Sequence, residues 1–156
     1  MGLKEAVSHF AGRVYFDKPA RKLSLAEHAD ALRRSGEEIR ARLARAAGDE
    51  RQRSRLRHVI GIERWGQARL RVFLGDAFAS AGHRPHLPPE NTSWEELVRE
   101  FGEMRAQTIA LAERLAAENP TSTVPHNQFG ELSAHGWLRY VNGHGLRELR
   151  GLKASG

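Results

Sequence analysis

Four long segments in which apolar residues recur every three or four positions constrain the fold of this chain most strongly. Such spacing lines apolar side chains along one face of an α-helix, and that face must be buried against another element. The predicted helices span residues 24–47, 50–78, 93–117 and 133–153. Joined by connecting loops, they predict an all-α fold, an antiparallel four-helix bundle that allows one long crossover.

Start signals support two of these helices. Ser24 is followed three residues later by Glu27, and Ser93 by Glu96. This is the pattern of a capping box, in which the two side chains satisfy backbone N–H groups at the helix start. Gly48 is the expected C-cap residue of the first helix.

Sequences typical of strands are nearly absent. Only RVYF, at residues 13–16, has β-type composition, and it is too short and isolated to build a sheet. Residues 1–22 predict a short helix and then an irregular lead-in to the bundle, which spans residues 24–153. The 156 residues suit one domain with its own core, so we expect a single helical domain over residues 1–156.

Composition excludes several kinds of chemistry. The chain has no cysteine, which excludes disulfides, thiolate metal ligands and a cysteine nucleophile. A reducing cytoplasm is therefore the expected location. No apolar run approaches the roughly 18–20 residues of a membrane span, and the sequence MGLKEAVSHF lacks the apolar core of a signal peptide.

The net charge of +6 raises the question of nucleic-acid binding. The densest basic cluster is RQRSRLR, at residues 51–57. It is either a contact surface for phosphates or the solvated start of a helix. The arginines are scattered along all the helices and interleaved with glutamate, which favours the solvated helix.

The last helix carries two polar residues on its apolar face. Trp137, Val141, His144, Glu148 and Leu152 follow one another at spacings of four, three, four and four. A buried glutamate without a partner is very costly. A spacing of four residues places two side chains one above the other on a helix, so one metal ion could satisfy both His144 and Glu148.

The second helix offers a third ligand. His58 shares a helical face with Ile62 and Trp65, at a position where an apolar residue is expected. His58, His144 and Glu148 thus form a candidate set of two histidines and a carboxylate with open coordination positions. Zn²⁺, Ni²⁺, Fe²⁺ or Mn²⁺ would all suit it. Glu63 lies about 140° further round the helix and is expected to pair with an arginine or to support the ligands.

Each of these candidate ligands also has an interpretation that is purely structural. A histidine on an apolar face is commonly a core or boundary residue, and the alternative interpretation of Glu148 is a rim residue paired with Arg147 or another arginine. His83 and His86, on a proline-rich loop, are predicted to be surface histidines. Two further residues, Gly143 and Gly145, either let a neighbouring element approach closely or mark a weak helix end.

Three segments resemble the damage-inducible DinB/YfiT-like family. RHVIGIERWGQARLRVFLG resembles the second helix of that family, in which a glutamate follows a histidine by five positions, here Glu63 after His58. WLRYVNGHGLRELRGL resembles its last helix, in which His144 matches the first of two histidines and Glu148 stands in place of the second. SWEELVREFGEMRAQTIALAERL resembles its third helix, in which an arginine and a threonine precede a leucine-rich end.

The resemblance implies a four-helix bundle that binds a divalent metal, commonly nickel or zinc, through three histidines. It also implies either a stress-associated protein or a transferase or isomerase that depends on a small-molecule thiol, and a homodimer. His58 and His144 would then be ligands. Glu148 either ligates in place of a histidine or marks a member that has lost the metal.

Three functions follow as hypotheses. The first is a metal-dependent enzyme of the thiol-dependent transferase or hydrolase type. The second is a non-enzymatic helical protein of stress response or interaction, without metal. The third, nucleic-acid binding, is disfavoured by the scattered arginines. Nothing in the sequence assigns a catalytic residue.

Overall fold

The computed structural model describes residues 2–154, and its elements are mostly helical. In chain order they are α1 (Leu3–Ala11), a π-helical turn (Gly12–Asp17), α2 (Lys18–Ala20), α3 (Leu25–Arg45), α4 (Glu50–Val72), a 3-10 turn (Arg84–His86), α5 (Trp94–Glu118), β1 (Val124–His126), β2 (Gly130–Leu132) and α6 (Ala134–Leu149).

The four long helices form the body of the fold. Helix α3 packs against α5 and α6, and α4 packs against the same two helices. Two clusters of buried apolar residues lie between them, one with Trp65 and Trp137 at its centre and the other with Phe101 and Leu56. Buried polar residues occupy helix positions between the two clusters, such as Glu63 on α4 and Arg105 on α5. The core is thus divided by a polar layer.

The observed starts of the helices agree with the sequence prediction more closely than their observed ends do. Ser24 and Glu27 form the predicted capping box, and Ser93 accepts a hydrogen bond from the backbone N–H of Glu96. The first long helix ends at Arg45 with Ala46 as its C-cap, so Gly48 lies beyond the cap. The last helix ends at Leu149, four residues earlier than predicted.

The second long helix also ends early, at Val72 instead of residue 78. Gly75 adopts a φ of +108°, and its N–H donates to the carbonyl of Val72 in a closing turn. Phe73 is buried just after the helix, which extends the apolar pattern past the actual helix end.

A small sheet corrects the all-α prediction. Strands β1 and β2 pair in antiparallel fashion, with Val124 opposite Leu132 and His126 opposite Gly130. Each strand has only three residues, so neither offers the alternating pattern by which strands are recognised in sequence. The fold is therefore mostly helical with a two-stranded sheet, and the expected pure four-helix bundle was wrong in this respect.

The N-terminal segment is more helical than predicted. RVYF, the one stretch of β-type composition, lies within the π-helical turn. That turn packs against α6 and β2. Asp17 fixes it there, because its carboxylate accepts hydrogen bonds from the N–H and hydroxyl of Ser133, the N-cap residue of α6.

Candidate metal centre

His58 on α4 and His144 on α6 face each other, as the sequence predicted. Their ring centres are 5.2 Å apart. His144 is 7% exposed and His58 is half-buried. Two imidazoles that share a tetrahedral metal at a nitrogen–metal distance of about 2.1 Å have ring centres roughly 5 Å apart. The separation is therefore compatible with one ion held between them.

A third histidine, His83, lies beside this pair. Its ring centre is 5.1 Å from that of His58, and its side chain is half-buried. His83 was predicted to be a surface histidine on a loop, and the structure places it half-buried with its ring against that of His58. Its loop is held against α4 because the indole N–H of Trp65 and the guanidinium of Arg69 both donate to the carbonyl of Ala81.

Glu148 lies at the edge of the site. It is half-buried, and together with His58 it lines an open cleft of about 470 Å³. The remaining lining residues of this cleft are Glu50, Arg51, Ser54 and Arg55. Within residues 2–154, no three histidine, aspartate or glutamate side chains are grouped so that they could hold a metal ion as they stand. Ligation by Glu148 therefore requires its side chain to turn toward the histidine pair.

Burial keeps two of these histidines, His144 and His83, neutral. It is the largest cause that lowers the pKa of His144 to about 3, and the nearby His58 and Arg147 lower it further. Burial also lowers the pKa of His83, again with a contribution from His58. Both rings are uncharged at neutral pH, which is the form that binds metal.

A buried ion pair involves Glu63, which follows His58 by five residues on α4. Arg105 donates from Nε to one carboxylate oxygen of Glu63 and from Nη2 to the other, at 2.8 Å each. Thr108 donates to the same carboxylate at 2.7 Å. The prediction that Glu63 pairs with an arginine is confirmed, and its two oxygens are occupied by protein partners.

The other side of Arg105 joins α5 to α3 and α6. Its Nη1 donates to the carbonyl of Leu32 and to the hydroxyl of Ser35, and that hydroxyl also donates to the side-chain carbonyl of Asn142. A polar network therefore runs from α4 through α5 and α3 to Asn142 on α6, two residues before His144.

Glycines make room for this arginine. A Cβ on Gly145 would lie 3.3 Å from Nη2 of Arg105, and one on Gly36 would lie 3.0 Å from its Cγ. A Cβ on Gly143, in contrast, would meet nothing within 4 Å. The two glycines that flank His144 thus differ, because the close approach of Arg105 explains the glycine at position 145 but not the one at position 143.

His126 is a buried histidine that sequence reasoning missed. It is 5% exposed and lies among Trp65, Phe129, Trp137 and Tyr140. Its Nδ1 accepts hydrogen bonds from two backbone N–H groups in the turn between β1 and β2, while Nε2 has no hydrogen-bond partner within the described chain. No helical periodicity covers this turn, so no sequence signal marked it.

The fold and the site define a class: a mostly helical protein with facing histidines on two packed helices and a buried arginine–glutamate pair behind them. The chain matches the model of the DinB superfamily over residues 53–150, and it belongs to that superfamily. This confirms the resemblance seen in the sequence. The matched region contains His58, His144 and Glu148. No curated protein and no solved structure matched the chain.

Within residues 2–154, none of the helices combines the length and apolar character that crossing a membrane requires.

Proposed function

We propose that this protein binds a divalent metal ion through His58, His144 and Glu148. The observation that supports it best is the 5.2 Å separation of the two imidazole rings, which come from different helices and are both positioned by packing. Imidazole and carboxylate ligands suit nickel and zinc, and also iron or manganese. Nickel or zinc is our first expectation.

The donor set fits such an ion in its chemistry. Burial favours the neutral ring of His144, because it lowers the pKa of that imidazole, and Glu148 lines the cleft that opens beside His58. His83, on the loop side of His58, can add a further nitrogen. Three protein ligands leave at least one coordination position for a substrate, which is the arrangement of catalytic sites.

The activity that we propose is a metal-dependent reaction on a small molecule, of the thiol-dependent transferase or hydrolase type. A bound ion would lower the pKa of a thiol or of water, so that the nucleophilic anion exists at neutral pH. The open cleft beside His58 gives a small substrate access, and its wall carries charges of both signs, Arg51 and Arg55 beside Glu50 and Glu148. A stress-associated role in the cytoplasm, as a homodimer, belongs to the same proposal.

Elemental analysis of protein purified without an affinity tag or chelator tests the metal site. We expect about one equivalent of nickel, zinc, iron or manganese in the wild type and loss of it in His58→Ala and His144→Ala. His9→Ala is the control, because His9 is exposed on α1. Wild-type protein that stays free of metal after incubation with each ion would overturn the proposal.

An interaction protein without metal is the alternative, and α1 favours it. Leu3, Val7 and Phe10 are 83%, 59% and 69% exposed, at spacings of four and three that place them on one helical face. An exposed apolar face commonly marks a contact surface. If His144→Ala leaves the biological activity intact while Phe10→Ser abolishes it, this alternative replaces the metal-dependent one.

A further inference from the structure

A second cavity lies on the other side of α6, between the N-terminal segment, α3 and α6. We call it the α3–α6 groove. Its volume is about 510 Å³, and its apolar walls include Tyr15, Leu23 and Leu146. It shares no lining residue with the cleft at His58. Small-molecule sites commonly have volumes of about 300–1,000 Å³, so the groove is large enough for a ligand.

One face of α6 forms the floor of the groove. Arg139, Gly143 and Arg147 line it, at a spacing of four residues each. Residues four apart lie one above the other on a helix. Since a Cβ on Gly143 would meet nothing within 4 Å, the missing side chain leaves open space between the two arginines. The groove explains this glycine, which close packing does not.

The two arginines make the groove positive. Arg139 donates from Nε to the carbonyl of Tyr15 at 3.0 Å, which joins the N-terminal wall to the floor and fixes the guanidinium at the groove. Arg147 makes no hydrogen bond or ion pair to any residue in the described part of the chain. No lining residue of the groove is acidic. An anionic group could therefore bind either guanidinium without displacing a carboxylate.

We propose that the α3–α6 groove binds a small apolar molecule that carries a carboxylate, such as a medium-chain fatty acid. A carboxylate matches the planar donors of a guanidinium better than any neutral group does. The apolar body of the molecule would cover Tyr15 and Leu23, which are 67% and 40% exposed in its absence. This site is independent of the metal centre and of the activity proposed for it.

Titration calorimetry with decanoate, on the full-length protein, tests the groove. We expect saturable binding to the wild type, and a loss of affinity of about tenfold or more in Gly143→Leu, whose side chain fills the space above the floor. Gly102→Leu is the matched control. Gly102 is also a helical glycine with open space above it, but it lies on α5, away from the groove. Its decanoate affinity should equal that of the wild type.

The recognition of the carboxylate by Arg147 is tested separately, with decanol as a neutral ligand of the same chain length. Arg147→Gln should weaken decanoate binding about tenfold and leave decanol binding unchanged. Because Arg147 is exposed and unpaired among the described residues, this variant should fold normally. The proposal is overturned if the wild type does not bind decanoate, if Gly143→Leu binds it as tightly as Gly102→Leu does, or if Arg147→Gln weakens both ligands equally.

Discussion

Arg105 and Glu63 form a bidentate ion pair between α5 and α4, with neither residue more than 2% exposed. The pair lies in the polar layer that separates the two apolar clusters, and Arg105 extends that layer to α3. A buried pair of this kind costs desolvation energy that its own attraction only roughly offsets. We therefore expect the pair to contribute specificity, because a shift of one helix along its neighbours would leave these buried groups without partners.

Removal of either partner alone should be strongly destabilising. Arg105→Met leaves the Glu63 carboxylate buried without its cation, and Glu63→Leu leaves the guanidinium unpaired. We expect each to lower the free energy of unfolding by about 3–5 kcal/mol, and the double variant to lose much less than the sum. Urea unfolding followed by tryptophan fluorescence measures this.

Arg99→Met is the control for that series. Arg99 is on the same helix and pairs with Glu96 and Glu103, but all three side chains are more than half exposed. Exposed pairs contribute little, so this variant should unfold at nearly the wild-type urea concentration. Additive losses in the Arg105 and Glu63 double variant would show that the two residues do not act as a pair.

The neighbouring glycines of α6 should respond to alanine in opposite directions. Gly143→Ala adds a methyl group in open space and removes a helical glycine, so it should raise the free energy of unfolding by about 0.5–1 kcal/mol. Gly145→Ala places its methyl group 3.3 Å from Nη2 of Arg105, which Glu63 holds in place. The network cannot shift without loss, so this variant should be less stable than the wild type.

Thermal unfolding of the two variants side by side checks this prediction. Each is the control for the other, since the substitution, the helix and the distance from His144 are the same. If both alanines stabilise the protein equally, the contact between Gly145 and Arg105 carries no energetic weight.

The spacing of apolar residues was sufficient to predict the four long helices and the two histidines that face each other. His58 and His144 stood out because a polar residue at an apolar helix position needs a partner, and the fold does bring these two together. Glu148 was predicted by the same helical spacing, and the family resemblance added that a histidine usually stands at this position. Local signals of this kind are reliable because helix spacing alone determines which residues share a face.

The features that sequence reasoning missed depend on contacts between distant segments. His83 reaches the site because α4 residues hold the carbonyl of Ala81, a contact that no local pattern encodes. The strands of three residues are too short to show alternation. Arg105 was noted only as part of a family pattern, since a lone arginine among many gives no sign that it is buried.

Acid should destabilise the protein in part through His126. Burial lowers the pKa of this histidine from 6.5 to about 4, with a smaller effect of the nearby Arg69. Between these values the unfolded chain binds a proton that the folded protein does not, so stability falls as the pH drops from about 6.5 to 4 and then levels off with respect to this group. The loss over this range is about 3 kcal/mol.

His126→Phe should reduce this sensitivity. Phenylalanine keeps an aromatic ring among the surrounding aromatic residues, although it gives up the two hydrogen bonds to Nδ1 and so lowers stability at neutral pH. Near pH 5 the number of protons taken up on unfolding should fall by about one, which reduces the slope of stability against pH by about 1.4 kcal/mol per unit. Urea unfolding at several pH values measures that slope. An unchanged slope would place the acid sensitivity elsewhere, with His144 as the first candidate.

Replacement of Glu148 by histidine should strengthen metal binding. Glu148 follows His144 by four residues on α6 and lines the same cleft as His58. A histidine there completes the three-histidine set that the family resemblance implies, and imidazole binds nickel and zinc more strongly than a single carboxylate oxygen does. We expect Glu148→His to bind either ion at least about tenfold more tightly than Glu148→Gln, with the wild type between them.

Competition with a chromogenic chelator gives the affinities, and His58→Ala in the Glu148→His background should abolish the gain. If Glu148→Gln binds metal as well as the wild type, Glu148 is not a ligand, and His83, whose ring lies 5.1 Å from that of His58, becomes the third ligand to test.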